Sequence, residues 1–394
     1  MGTKNTEEDS FINLFNITGQ GGGKQNHCIV RDETVDIIKG WAMLTIIIFH
    51  CSSSCFPSPV GSLIGNPWNV PIFFMVGGFF LSPHKMVTPV TFLKGKMKRL
   101  YIPATVVYVI CILLHNLFVY IGWYPIGECH PSNGLPYTYY GIKETAIGIM
   151  KVICAGGSGE NVMGAMWFLY TLLYAFIAMS VIYWIICKMF HEEKARFNMM
   201  SVVMLVIAVS SCVMTQRFGF TVNRINTAMT AMFLIWWGMI LYKVIMDKGD
   251  SKWTFYMALV IFIHCIIMQR SGLKLAKNDY QDLVFLTIGS TSAIFIWRYL
   301  ALIIQKTPIG RFIALLGRES LYLMMFHIVG FLMCNSLLEC LGVFSHNDIK
   351  GLYTYAMGDN WGILSLYVFF GVFVPLGIMY VYRRIVQCIS VIRR

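Results

Sequence analysis

Charge is what this 394-residue sequence has least of. Only 13% of its residues are Asp, Glu, Lys or Arg, against about 25% in a soluble globular domain. Hydrophobic residues make up 57%. That balance excludes a soluble enzyme and points to a helical membrane protein. A membrane barrel is excluded as well, because its alternating strands of about ten residues are missing and the apolar runs are far longer. No secretory signal peptide, no phosphate-binding loop and no internal repeat is visible. The 12 cysteines show no metal-type spacing. Cys111, Cys187 and Cys265 fall within apolar runs, where Cys acts as a small core hydrophobe. Cys129 and Cys154 share one predicted external loop, where a disulfide is open but not required.

Acidic residues are scarcer than basic ones, 19 against 31, for a net charge of +12. Such a balance raises nucleic acid as a partner, but the basic residues stand in loops beside apolar runs. That placement is the positive-inside signature, so the partner is the lipid bilayer and not nucleic acid.

What the sequence has in plenty is span-length apolar segments. Ten are expected, at about 35–52, 69–82, 101–121, 165–187, 199–215, 227–246, 253–268, 282–304, 318–340 and 362–385. The fold class is therefore all-α, a polytopic bundle of about ten transmembrane helices. With the N-terminus inside, 23 of the 31 basic residues fall on the inner side and 8 outside, which places both termini in the cytosol. Residues 1–34 read as a polar cytosolic tail and 35–390 as one membrane domain. The second span, NVPIFFMVGGFFLS, is short and carries Gly77-Gly78. It is either broken or re-entrant, or the pair is a close helix-packing point. The external stretch GIKETAIGIMKVICAGG reads as an amphipathic helix on the membrane surface.

The first span carries Asp36, Lys39 and His50. At about 100° per residue, Lys39 and His50 differ by three turns plus about 20°, so they share a face, roughly 16 Å apart along the axis. Asp36 lies close to that face. An ionisable group inside a span is expensive and marks a functional site by default. A neutral imidazole at that depth can take a proton from a hydroxyl, the general-base role in acyl transfer. On the inner side KGKMKR offers Lys94, Lys96, Lys98 and Arg99. Together with Lys39 they make a cationic mouth suited to phosphates, although on sequence alone plain positive-inside topology is the better account of the run. His327 is a second span histidine, about 13 Å in from Arg318. His115 and His264 have no ionisable neighbour at helical spacing and read as structural. Trp167 opens the fourth span as an aromatic-belt residue.

Taken in order, these pieces resemble acyltransferase family 3, integral membrane O-acyltransferases of sugars and cell-surface glycans. The family's first span has Asp-x-x-Arg followed by Arg-x10-His; here it reads DIIKGWAMLTIIIFH. VPIFFMVGGFF matches the Pro-aromatic run with its small pair, KMKRLYIP the Arg-Leu-x-x-Pro segment, and MWFL the Trp-Phe-Leu. LGRESLYLMMFH matches a late Gly-x-x-Ser pattern ending in His. Two positions depart: Lys39 stands for Arg and loses its planar bidentate fork, and Gly77 stands for Ser.

The resemblance implies an acyl-CoA-dependent O-acetyltransferase, a multi-pass protein of the cell membrane, the bacterial inner or plasma membrane. Acetyl-CoA, or another acyl-CoA, is the co-substrate, with no permanently bound cofactor and no metal. A glycan or glycolipid is the acceptor, and homo-oligomerisation stays open. His50, Lys39 and Asp36 would form the catalytic set. Lys39, Lys98 and Arg99 would hold CoA phosphates. Trp167, Ser320, Tyr322 and His327 would line the acceptor cavity. Two other classes stay open: a transporter or flippase of acyl groups or lipid-linked sugars, and a scaffold or receptor without chemistry.

Overall fold

The structure, a computed structural model, describes residues 32–52, 68–127, 136–155, 160–222, 224–268, 283–344 and 360–392. Cys129 and most of the N-terminal tail lie outside them; Cys154 is an exposed free thiol. Among the described residues every regular element is helical: α1 (Glu33–Ser52), α2 (Asn69–Phe79), α3 (Pro89–Lys96), α4 (Ile102–Leu113), α5 (His115–Tyr120), α6 (Ile142–Ala155), α7 (Trp167–Met189), α8 (Glu193–Phe218), α9 (Ile225–Lys248), α10 (Lys252–Ile267), α11 (Leu283–Ile304), α12 (Pro308–Arg318), α13 (Ser320–Cys340) and α14 (Trp361–Ile392). A π turn, Met97–Tyr101, joins α3 to α4, and a 3-10 turn, Asn161–Met166, leads into α7. Among the described residues, 7 helices are long and apolar enough to cross a membrane: α1, α7 together with the 3-10 turn before it, α8, α9, α11, α13 and α14. The apolar α2 and α10 are shorter. The third expected span breaks at Leu114 into α4 and α5.

Helix α1 is the hub. It packs on α12, α2, α11, α14 and α13. Its Val35, Ile38, Ala42, Met43, Ile46 and Ile47 are all buried. The periphery is apolar too: Val202, Leu205, Val206, Val209 and Val213 of α8 are exposed, as a lipid-facing surface requires.

Glycines set the closest helix approaches. A Cβ on Gly78 would meet the Ile235 carbonyl at 1.9 Å, and one on Gly238 would meet the Met75 carbonyl at 2.1 Å. So α2 and α9 touch backbone to backbone, the small-residue packing found inside membranes. At 11 residues, α2 rises only about 16 Å, half of a hydrocarbon core of about 30 Å. Nearly all its residues are buried, so surrounding protein covers it. Of the Gly77-Gly78 pair, Gly78 makes the close contact, while a Cβ on Gly77 would meet only Leu172 at 3.8 Å.

Two segments read as a loop and a surface helix pack on neighbouring helices. The basic run QKTPIGRFIALLGR contains α12. Thr307 caps it by accepting from the Gly310 N–H, and Pro308 fills the first turn. Its small face presses on α1, where a Cβ on Gly317 or on Gly40 would strike the Asp36 or the Ile313 carbonyl. Helix α6 packs on α4. Gly148 faces Ile112, and Tyr101 donates to the Ile153 carbonyl at 2.6 Å, so α6 runs antiparallel along α4. Beside it His115 is far from isolated. It bonds Glu160 at 3.0 Å and the Thr138 carbonyl at 2.9 Å and stacks on Tyr140, while Tyr124 donates to Glu160. This buried latch ties α5 and two loops to the 3-10 turn that packs on α13.

Candidate active site

The structure joins the two span histidines. His50 Nδ1 lies 2.9 Å from His327 Nε2, with the rings stacked at 5.1 Å between centroids and 9° between planes. Near its end α1 turns His50 toward α13, whose His327 is 0% exposed. His327 Nδ1 is 2.8 Å from the Leu323 carbonyl one turn back. A carbonyl only accepts, so the network assigns the proton to His327 Nδ1. In the neutral ring, His327 Nε2 is then an acceptor, and His50 Nδ1 must donate to it. The lone pair of His50 falls on Nε2. His50 itself keeps part of its surface accessible. The result is a base whose tautomer is fixed from behind by a buried partner and whose reactive nitrogen faces away from that partner. Phe331 closes the other side of His327, edge-on at 5.6 Å, and in turn meets Tyr367, which donates to Asn335.

The start of α1 carries a set of ion pairs. Lys39 Nζ lies 3.0 Å from Asp36, and Asp36 is 3% exposed. Arg298 reaches Asp32 at 3.2 Å, Arg318 reaches Glu33 at 3.9 Å, and Arg383 reaches Glu319 at 2.7 Å. Four helices thus converge on this end with compensated charge. Lys39 and His50 do occupy one helix, but Lys39 is held by Asp36. The ion pairs of Arg298, Arg318 and Arg383 were not legible, since their partners lie on distant segments.

Lys98 and Arg99 ride on the π turn. That turn packs on α4, α3 and α7 and shares none of these main neighbours with α1. Among the described residues neither is in an ion pair. Lys96 turns away into a ring box, its Nζ 3.7 Å from the Phe176 centroid and 5.3 Å from Phe92. Burial pushes its ammonium down to about 8, with Arg99 and Lys85 adding to the effect. Those two couplings place Lys85, Lys96 and Arg99 in one basic patch.

The other sequence candidates divide. Ser320 precedes His327 by seven residues, which puts it on the same face about 10 Å along the axis. Tyr322 is turned about 140° away and meets Tyr382 at 6.3 Å and Arg383 at 6.0 Å. Trp167 packs edge-on to Phe168 and lies under Arg224, 5.6 Å from the guanidinium carbon. No sequence pattern pointed to Arg224.

Compared with known proteins, residues 32–383 match the family model of acyltransferase family 3, described as an acyltransferase domain. No curated protein and no solved structure matches the chain.

Proposed function

The chain belongs to acyltransferase family 3, and from that premise we propose that it moves an acetyl or other acyl group from cytosolic acyl-CoA to a hydroxyl of a cell-surface glycan or glycolipid. The observation that carries this reading is the bond chain from the Leu323 carbonyl through His327 to His50. It leaves His50 Nε2 ready to accept a proton. The acceptor hydroxyl gives its proton to Nε2 as its oxygen attacks the thioester carbonyl. The tetrahedral intermediate collapses, the C–S bond breaks, and the proton on His50 passes to the departing CoA thiolate. The imidazolium formed between these steps keeps its Nδ1–H on His327, whose lone pair stabilises it.

The start of α1 is the cytosolic end in this reading, in line with the Lys and Arg bias. Both termini are then inside, with α2, α10 and the α4–α5 pair counted as spans to make ten. Acyl-CoA enters from that end. Lys98 and Arg99, in no ion pair among the described residues, are the groups that take its phosphates where the π turn packs on α7, and Lys39 guides the thioester arm past Asp36. The double variant Lys98→Ala, Arg99→Ala is expected to raise the donor KM about ten-fold, the scale of a charged hydrogen bond, with kcat little changed. The effect should shrink in high salt.

His327 acts through His50. His327→Ala is expected to lower kcat on the order of ten- to a hundred-fold, as loss of a ligand-orienting partner does elsewhere, with acceptor KM unchanged. His327→Gln restores a carbonyl acceptor for His50 Nδ1 and should recover part of the rate. Equal loss in both variants would remove the tautomer-fixing role. The test of the whole reading is transfer of labelled acetyl from acetyl-CoA, by purified protein in lipid vesicles, into base-labile ester on a cell-envelope glycan fraction. Movement of label across the vesicle without ester would favour the transporter instead.

A further inference from the structure

Arg224 stands where the positive-inside pattern does not put it. It precedes α9, at the end of the bundle opposite the start of α1, and its guanidinium lies over Trp167 at 5.6 Å. Tyr108 and Tyr174 are near enough to couple to it electrostatically. Its depth follows from helix register. The hairpin pairs α7–α8 and α8–α9 make α7 and α9 run the same way, and the Tyr183–Trp236 ring contact, 6.5 Å, aligns them. Arg224 is twelve residues before Trp236, and twelve before Tyr183 is Thr171. So Arg224 is level with Thr171, about 6 Å below Trp167 where α7 begins. An arginine that only anchored the interface would extend outward to the headgroups. The guanidinium of Arg224 reaches outward only as far as Trp167, and the span that contains Trp167 begins six residues earlier, at Asn161, so the charge stays within the span, against aromatic rings, where an ionised group signals function by default.

The rings around it form one aromatic cluster, part buried and part accessible. Tyr108 and Tyr170 form a sealed back wall, 4% and 1% exposed, 6.3 Å apart between ring centroids. In front of them Tyr101, Trp167, Tyr174 and Arg224 each keep part of their surface accessible. Tyr101 stands edge-on to Tyr170 at 5.9 Å, and its hydroxyl is tied to α6. Aromatic faces stack on the C–H face of a sugar ring, and phenolic hydroxyls bond its oxygens. A guanidinium adds a planar fork that fits a carboxylate or a phosphate.

We propose that the accessible edge of this aromatic cluster binds an acidic sugar, with Trp167 stacking on the ring and Arg224 pairing with its carboxylate or phosphate. Only the name "acceptor" for that sugar rests on the acyl-transfer reading; the binding does not. The site makes the acceptor an anionic glycan and assigns Arg224 as the residue that selects it.

The oxyanion read by Arg224 has two sources, an acidic sugar or a CoA phosphate, and the measurement separates them. Full-length protein in nanodiscs is titrated calorimetrically with four probes: a glucuronate-containing tetrasaccharide, the same tetrasaccharide with its carboxyls reduced to alcohols, a short glycerol-phosphate-substituted oligosaccharide, and CoA. The native protein should bind at least one acidic probe about ten-fold more tightly than the reduced one. Arg224→Gln, confirmed folded by an unchanged melting temperature, should remove that preference and leave CoA binding as it was. Arg224→Lys should keep part of the preference. Trp167→Ala should weaken acidic and reduced sugars alike. Equal binding of acidic and reduced probes by the native protein overturns the proposal, as does a loss in Arg224→Gln that falls on CoA and not on the sugars. Because no turnover is read, these results stand whether or not ester formation is found.

Discussion

Replacing His50 with Ala is expected to lower acyl transfer by on the order of a thousand-fold while the protein still folds. General acid–base groups contribute about 10²- to 10⁴-fold, and His50 is the one group of the histidine pair whose lone pair is directed outward. His50 is only partly buried, so removing it opens little core. It does strip His327 Nε2 of its donor, but that ring keeps its bond to the Leu323 carbonyl. The measurement is labelled ester formed per unit time by native and variant protein with matched melting curves. His50→Gln should fail as completely as His50→Ala, since an amide cannot take the proton. A His50→Ala protein that is folded and retains more than a tenth of the native rate would remove His50 from the chemistry.

The second large effect is on the fold. Gly78→Val is expected to prevent assembly of the bundle or to lower its melting temperature sharply. Its Cβ would sit 1.9 Å from the Ile235 carbonyl, and the contact is backbone, which no side-chain rotation relieves. Helix α2 would have to move off α9, and α2 packs on α1 as well, so the shift carries to the helix that holds His50. Overpacking of a tight core costs about 1–3 kcal/mol even where side chains can yield; here the yielding element is a helix axis. Gly77→Ser provides the contrast. Its Cβ meets only Leu172 at 3.8 Å, and the change should stay within about 0.5 kcal/mol. It also restores the residue that the family pattern carries at that position. Thermal unfolding in detergent compares the two. Equal loss in both would mean the α2–α9 contact is not what the pair supports.

Hydropathy and helical period were enough to place most spans. The expected 227–246 is α9, Ile225–Lys248, and the expected 282–304 is α11, Leu283–Ile304. These signals are local: a run of apolar residues has one way to be satisfied in lipid, so it needs no knowledge of neighbours. The break at Leu114 had one local sign, the polar pair His115-Asn116 that follows it in IPATVVYVICILLHNLFVY, but the apolar residues on both sides let the stretch read as one span. Helix α12 was hidden by its charge. Arg311 and Arg318 marked it as a loop, while its buried Gly310, Ile313, Ala314 and Gly317 follow the spacing of a helix face.

The same division runs through the site. Position along a span showed that His50 and His327 were each worth attention, and chain order revealed the family. Neither showed that the two rings meet, for they are 277 residues apart, and their contact depends on how α1 and α13 are rotated and crossed. His115 looked structural because its helix offers no partner; Glu160 arrives from another segment. The Asp36–Lys39 pair, by contrast, is legible from its three-residue spacing, and the structure shows it at 3.0 Å. Arg224 looked like nothing at all, since one arginine in a short connection has no period. The sequence by itself determined a helical membrane protein, most of its long apolar helices and its family, because burial in lipid and motif order are written along one chain. Only the tertiary structure decided which histidine is backed by which, which cations are spent on carboxylates, and where an arginine faces aromatic rings. Those are contacts between helices, set by glycine-close packing and rotation about axes that no single segment encodes.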